Sequence, residues 1–174
     1  MKRRIRENLT RQERGLMVLL VLQEEEFSLL KGRNPQAITA VEFSIHNLMR
    51  QLLAERKELK VLLGGMRLRE WLKTLPEEPF DADVAIAGVK PENLAGVTEA
   101  HYLRNLVASV RKMEQACARK AKNNTELAFA LLDQSKALLS FMHQKITPKT
   151  MTTYSAKGRV NERVTSASML RGAL

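Results

Sequence analysis

Residues 38–62 read ITAVEFSIHNLMRQLLAERKELKVL, and in that stretch Ile38, Val41, Ile45, Leu48, Leu52, Leu59 and Leu62 follow alternating steps of three and four. Only Glu55 breaks the series. A period of about 3.5 residues held over this length predicts helices packed along a left-handed supercoiled seam, not a merely amphipathic surface helix. Leu48 and Leu52 alternate with Ile45 and Leu59, so both are expected in a bundle core.

Outward from that seam, each boundary signal has a helical meaning. Asn34-Pro35 reads as an N-cap followed by proline at the first helical position. Before it, Leu16, Leu19, Leu20, Phe27 and Leu30 put an apolar stripe on an earlier helix. Thr10-Arg11-Gln12-Glu13 has the form of a capping box, which predicts a start near Arg11, and Lys31-Gly32 supplies a left-handed stop. On the C-terminal side Gly64-Gly65 interrupts the helix, and Leu68, Trp71, Leu72 and Leu75 suggest a short helical piece ending before Pro76. Residues 76–97 have no helical period and contain Pro76, Pro79, Pro91, Gly88 and Gly96, so they form a long connection.

Thr98-Glu99 opens the longest helix, whose seam reads Leu103, Leu106, Val110, Met113, Cys117, Lys120, Asn124, Leu127, Leu131, Gln134, Leu138 and Phe141. Its polar members, Lys120, Asn124 and Gln134, stand where a helix kinks, exchanges partners or fixes register. Thr147-Pro148 ends it. Beyond lie few bulky apolar side chains and five cations, Lys149, Lys157, Arg159, Arg163 and Arg171, against Glu162. The expected architecture is all-α: an elongated antiparallel bundle of three long helical segments over residues 1–148, then a disordered C-terminal tail, 149–174.

Apolar residues make up 44% and aromatic residues 5% of the 174, a composition suited to helix seams rather than a β-sandwich. The net charge of +10 makes anionic partners worth weighing, but no zinc-finger, helix-turn-helix or RNA-recognition pattern accompanies the cations. The single cysteine, Cys117, excludes an internal disulfide and fits a reducing compartment. Lys2-Arg3-Arg4 followed by the apolar run from Gly15 to Leu22 imitates a secretory signal. The run is too short to span a bilayer and leads into Gln23-Glu24-Glu25-Glu26, not a cleavage site. A cytoplasmic protein without a transmembrane segment is expected.

No catalytic constellation emerges. His46, His101 and His143 lie on separate stretches with no helical metal spacing, and Cys117 occupies a seam position as a small apolar residue. Glu24-Glu25-Glu26 points in diverging directions and reads as a solvated face. Ala156-Lys157-Gly158-Arg159 lacks the glycine spacing of a phosphate loop. The expectation is a protein without catalysis, metal or cofactor. What remains is the end of the long helix, Leu131, Leu138, Phe141, Met142 and Ile146. It is either bundle core or a strip that takes a partner's amphipathic helix.

Several features together resemble FlgN-type flagellar export chaperones. They are Gln23-Glu24-Glu25-Glu26-Phe27-Ser28-Leu29-Leu30-Lys31, the break at Gly32 to Pro35, a second long helix closing with Glu55-Arg56-Lys57-Glu58-Leu59, and a Tyr-x-x-x-Gly-Arg pattern from Tyr154 to Arg159. The resemblance implies a cytoplasmic chaperone of the flagellar type III export system. Such a protein masks helical segments of hook-associated (hook–filament junction) proteins and delivers them to the export gate at the membrane. It further implies cargo contacts at the end of the third long helix and a tail, with Tyr154, Gly158 and Arg159, that engages cargo or gate. The alternative reading, kept open by the basic charge, is a coiled-coil protein that binds nucleic acid or scaffolds an assembly.

Overall fold

The apolar stripe of the first helix starts well before the capping box. The structure, a computed structural model, describes residues 1–78, 97–146, 152–154 and 160–162, the last two stretches as backbone. Helix α1 spans Lys2–Gly32, and Ile5, Leu9, Gln12, Leu16, Leu19, Gln23 and Leu30 recur along its buried side. The expected start near Arg11 is therefore wrong. The Thr10 hydroxyl donates to the Arg6 carbonyl at 3.0 Å in place of capping. A cap contributes about 1 kcal/mol, whereas burying Ile5 and Leu9 contributes about 1.5–3 kcal/mol each, so packing overrides the local signal.

Helix α1 also ends one residue later than Lys31-Gly32 suggested. Arg33 takes the left-handed conformation, φ 51°, and its amide donates to Leu30 O. Asn34 must cap the next helix, because its Oδ1 accepts from the Ala37 amide at 3.2 Å and Pro35 opens α2, Pro35–Leu62. The reversal is thus compressed into Arg33. Gly64 and Gly65 both have positive φ, 58° and 86°, and turn the chain into the short helix α3, Leu68–Lys73. The Thr98 hydroxyl accepts from the His101 amide at the start of α4, Glu99–Ile146, which runs unbroken through Lys120, Asn124 and Gln134. The expected connection at 76–97 lies largely outside the described residues.

The chain divides into two units, Met1–Leu127 and Ala128–Leu174, with α4 beginning in the first and ending in the second. Within the first unit α2 runs antiparallel to α1, with Asn8 meeting Glu55 and Gly15 lying against Leu52 and Leu48. Helix α4 runs parallel to α1, since Arg6 pairs with Glu99 at 3.1 Å while Asn124 reaches Gln23. One core joins Ile5 and Leu9, Leu59 and Leu63, Trp71, Leu72 and Leu75 of the α3 region, and Leu103, Leu106 and Val107. A second joins Leu16, Leu19, Leu52, Val110 and Cys117, with Ile45, Leu48 and Met113 at its edge. The seam read from residues 38–62 serves both cores: Leu59 is buried in the first and Leu52 in the second, Leu48 is half-buried beside Leu52, and Val41 is buried further along α2.

Polar residues fix the register between these cores. Asn8 is fully buried and donates to the Glu55 carbonyl at 3.0 Å and its carboxylate at 2.6 Å, while Gln12 donates to Asn8 Oδ1. Arg11 clamps the same carboxylate with bonds of 2.7 and 2.9 Å. Glu55, the residue that interrupts the apolar seam, is the acceptor this layer is built around. A second polar layer lies further along, where buried Asn124 donates to Gln23 O at 2.8 Å and to Glu26 at 2.6 Å. Lys120 pairs with Glu24. Two of the three glutamates read as a solvated face therefore bind α4. A displaced register would leave these buried amides unpaired, at about 1–3 kcal/mol each.

Gly15 marks the closest approach of α1 to α2. A Cβ there would sit 2.8 Å from Leu52 Cδ2, closer than carbon atoms tolerate. Gly15→Val is expected to destabilise the bundle by about 1–3 kcal/mol through overpacking. Urea unfolding with an unchanged midpoint would show that α1 and α2 do not meet here.

Cys117 is buried beneath α1, its Sγ donating to Leu16 O at 3.6 Å. Burial raises its thiol above the ordinary value of 9.0, and the nearby Glu114 charge adds to the rise. The fold thus favours the neutral thiol. Its contribution is complete below the unfolded thiol's pKa and is lost as pH climbs through the raised folded value. Native protein at neutral pH is expected to react with a thiol reagent only as it unfolds. The melting temperature should also fall less above pH 9.0 in Cys117→Ala than in the wild type. Rapid labelling of native protein contradicts this placement.

Candidate partner-binding surface

One row at seven-residue spacing runs along α4: Leu103, Val110, Cys117, Asn124, Leu131 and Leu138. Leu103 has no exposed surface, and burial continues through Asn124. Leu131 is half-buried, and Leu138 is 59% exposed. The pattern that builds the core thus continues beyond Leu127 with nothing over it among the described residues.

In the second unit this part of α4, residues 128–146, reads AFALLDQSKALLSFMHQKI. Ala, Leu, Gln and Lys favour the helix intrinsically. Lys145 lies 5.6 Å from the Phe141 ring centroid one turn away, and His143 and Lys145 in the last turn complement the helix dipole. At 3.6 residues per turn, Leu131, Leu138 and Met142 form the middle of an apolar face, with Phe141 on one margin and Ile146 on the other. Phe141 is 57% exposed, and Met142 and Ile146 are comparably open. Of the residues expected to form the strip, only Leu131 is not fully in the open.

Three further members were missed by sequence reasoning. Leu132 and Leu139 stand with Ile146 at seven-residue spacing, a second row beside the first, and Leu139 is 66% exposed. Phe129 is exposed as well. For Leu132 and Leu139 the signal was the i, i+7, i+14 series that ends at Ile146, hidden behind the neighbouring row that continues the core; Phe129 belongs to neither row. The two rows with Phe141 span an arc of roughly 180°, wider than the stripe of about 100° that one packing contact requires. Contiguous exposed apolar area of this kind is rare on a monomeric surface. Asp133 is the only acid in the segment and lies 3.9 Å from Lys136.

The tail adds a small surprise. Thr152–Tyr154 (β1) pairs antiparallel with Val160–Glu162 (β2), placing Tyr154 opposite Val160. Within a segment expected to lack order, Thr152, Thr153, Tyr154 and Val160, β-branched or aromatic residues that favour extended backbone, explain this ladder. Gly158 and Arg159 belong to 155–159, outside the described residues, as do 163–174.

The described residues thus form a helical bundle whose longest helix carries its core pattern onward into an exposed apolar face. A family model described as FlgN protein matches residues 1–162, and the chain belongs to that family, one of flagellar export chaperones. The match runs through the end of β2. Comparison with curated proteins and with solved structures gives no match. Among the described residues no helix is long and apolar enough to cross a membrane.

Proposed function

We propose that this chain is a cytoplasmic type III export chaperone that binds helical segments of hook–filament junction proteins on the end of α4. It masks them until they reach the export gate. The observation that carries the reading is the exposure of Leu138, Phe141, Met142 and Ile146 on a helix whose earlier turns use the same pattern as core. A junction protein's terminal helices would hide the strip while the strip hides them, and no catalysis or cofactor is needed. The apolar character of the contact favours this over nucleic acid, which would rely on phosphate neutralisation and weaken steeply with salt.

The tail, with Tyr154, Gly158 and Arg159, serves in this reading as the element that engages cargo or gate. Tyrosine gives much contact area at little rotamer entropy. Tyr154→Ala, or truncation after Pro148, is expected to leave the melting temperature nearly unchanged while reducing secretion of the junction proteins and motility. Normal secretion by both variants would remove the tail from the mechanism. A large fall in melting temperature would make it part of the bundle instead.

A further inference from the structure

The first unit holds an apolar groove that the strip on the end of α4 does not use. Its volume is about 570 Å³, and Leu16, Leu19, Leu52 and Cys117 form its floor. Met49 and Leu53 of α2 stand on one lip, each about half exposed, and Ala118 and Ala121 of α4 leave the other lip low. At the opposite end of the bundle the region of α3 covers the three long helices with Trp71, Leu72 and Leu75. Over the groove no described element takes that place.

The lips are basic. Arg50 lines the groove and has no ion pair among the described residues, and His46 lies one turn before it. On α4, Arg111 and Lys122 share the helix face of Ala118 at spacings of seven and four. The carboxylate lining the groove, Glu114, is engaged by Arg56. At the end near Ala121, Gln23 is 5% exposed and its Oε1 accepts no hydrogen bond from any described residue.

We propose that this groove is a second docking site, whose occupant is one amphipathic helix of a partner protein with an apolar face and acidic flanks. The length fits: His46 to Arg56 on α2 spans about 15 Å, the length of two to three helical turns. The chemistry fits as well, because bulky apolar side chains fill the floor as Trp71 and Leu72 do at the other end. Carboxylates on the flanks meet Arg50 and the exposed Lys122, which pairs with Glu126 of its own helix at 3.7 Å. A second copy of this chain fits poorly. Its exposed apolar helix, residues 128–146, carries Lys136 and Lys145 against a single acid, so like charges would face each other.

The test titrates the full chain with two synthetic helical peptides that share one Leu/Ile heptad face, one flanked by glutamates and the other by lysines. The glutamate peptide is expected to bind at least about tenfold tighter. Ala118→Trp, which fills the groove, should weaken it at least about tenfold, and Arg50→Glu should erase the preference between peptides. Val61→Ala, at an exposed side chain outside the groove, should leave it unchanged. If Ala118→Trp fails to fold by circular dichroism, Ala121→Met serves the same purpose. Equal affinity for both peptides, no binding of either, or loss on Phe141→Ala alone overturns the proposal. So does a dimer of the chain that Ala118→Trp dissolves, which would assign the groove to a second copy. Binding that appears only after residues 79–96 are replaced by a Gly/Ser linker overturns it too, since the chain itself would then be the occupant.

Discussion

Leu103→Ala is expected to lower the free energy of unfolding by about 2–5 kcal/mol, while Leu138→Ala changes it by less than about 0.5 kcal/mol. The two leucines occupy the same row, at seven-residue spacing, of the same helix. Leu103 lies fully buried among Ile5, Leu72 and Val107, so removing its side chain opens a cavity that rigid neighbours cannot close. Leu138 is 59% exposed, and alanine is the better helix former, so nothing in the fold is lost. Denaturant unfolding measures both. Similar losses at the two sites would mean that the end of α4 is packed as core in solution, and the partner-binding surface would not exist.

Phe141→Ala is expected to weaken binding of a junction protein by about 1–3 kcal/mol, or roughly fivefold to 150-fold in Kd. The ring is large and open, and the Lys145 ammonium of its own helix lies over it. Little of the free protein depends on it, so the variant should melt like the wild type. Because the lost contact is apolar, the affinity ratio of variant to wild type should hardly change between low and high salt. A ratio that collapses with salt would instead assign the ring an indirect role beside Lys145.

The helices were legible in the sequence because their seams are long. Residues 38–62 carry alternating three and four steps strong enough to survive one glutamate, and Asn34-Pro35 and Thr98-Glu99 mark starts that the structure keeps. The boundaries that failed are those where a local signal competed with packing. Thr10 has a capping sequence, but Ile5 and Leu9 are buried upstream of it, so the helix continues. Glu24 and Glu26 looked solvated because the sequence does not reveal that Lys120 and Asn124 come alongside.

The candidate surface was half legible. Its residues follow the core pattern, so no feature of the row separates Leu103 from Leu138; only the presence or absence of neighbours does. That information lies in tertiary packing, and a single sequence does not carry it. The second row through Leu132, Leu139 and Ile146 was readable from spacing alone. The groove over Leu16 and Leu52 was not, since it arises from where α3 stops covering the bundle.

The most direct measurement is a calorimetric titration of purified hook–filament junction protein into the wild type and a Leu138→Ala/Phe141→Ala double variant, each at low and high salt. The expected result is tight wild-type binding that tolerates salt, and a large loss in a double variant that remains fully folded. Equal binding by the two proteins would contradict it, above all if the chain instead bound DNA or RNA tightly and released it as salt was added.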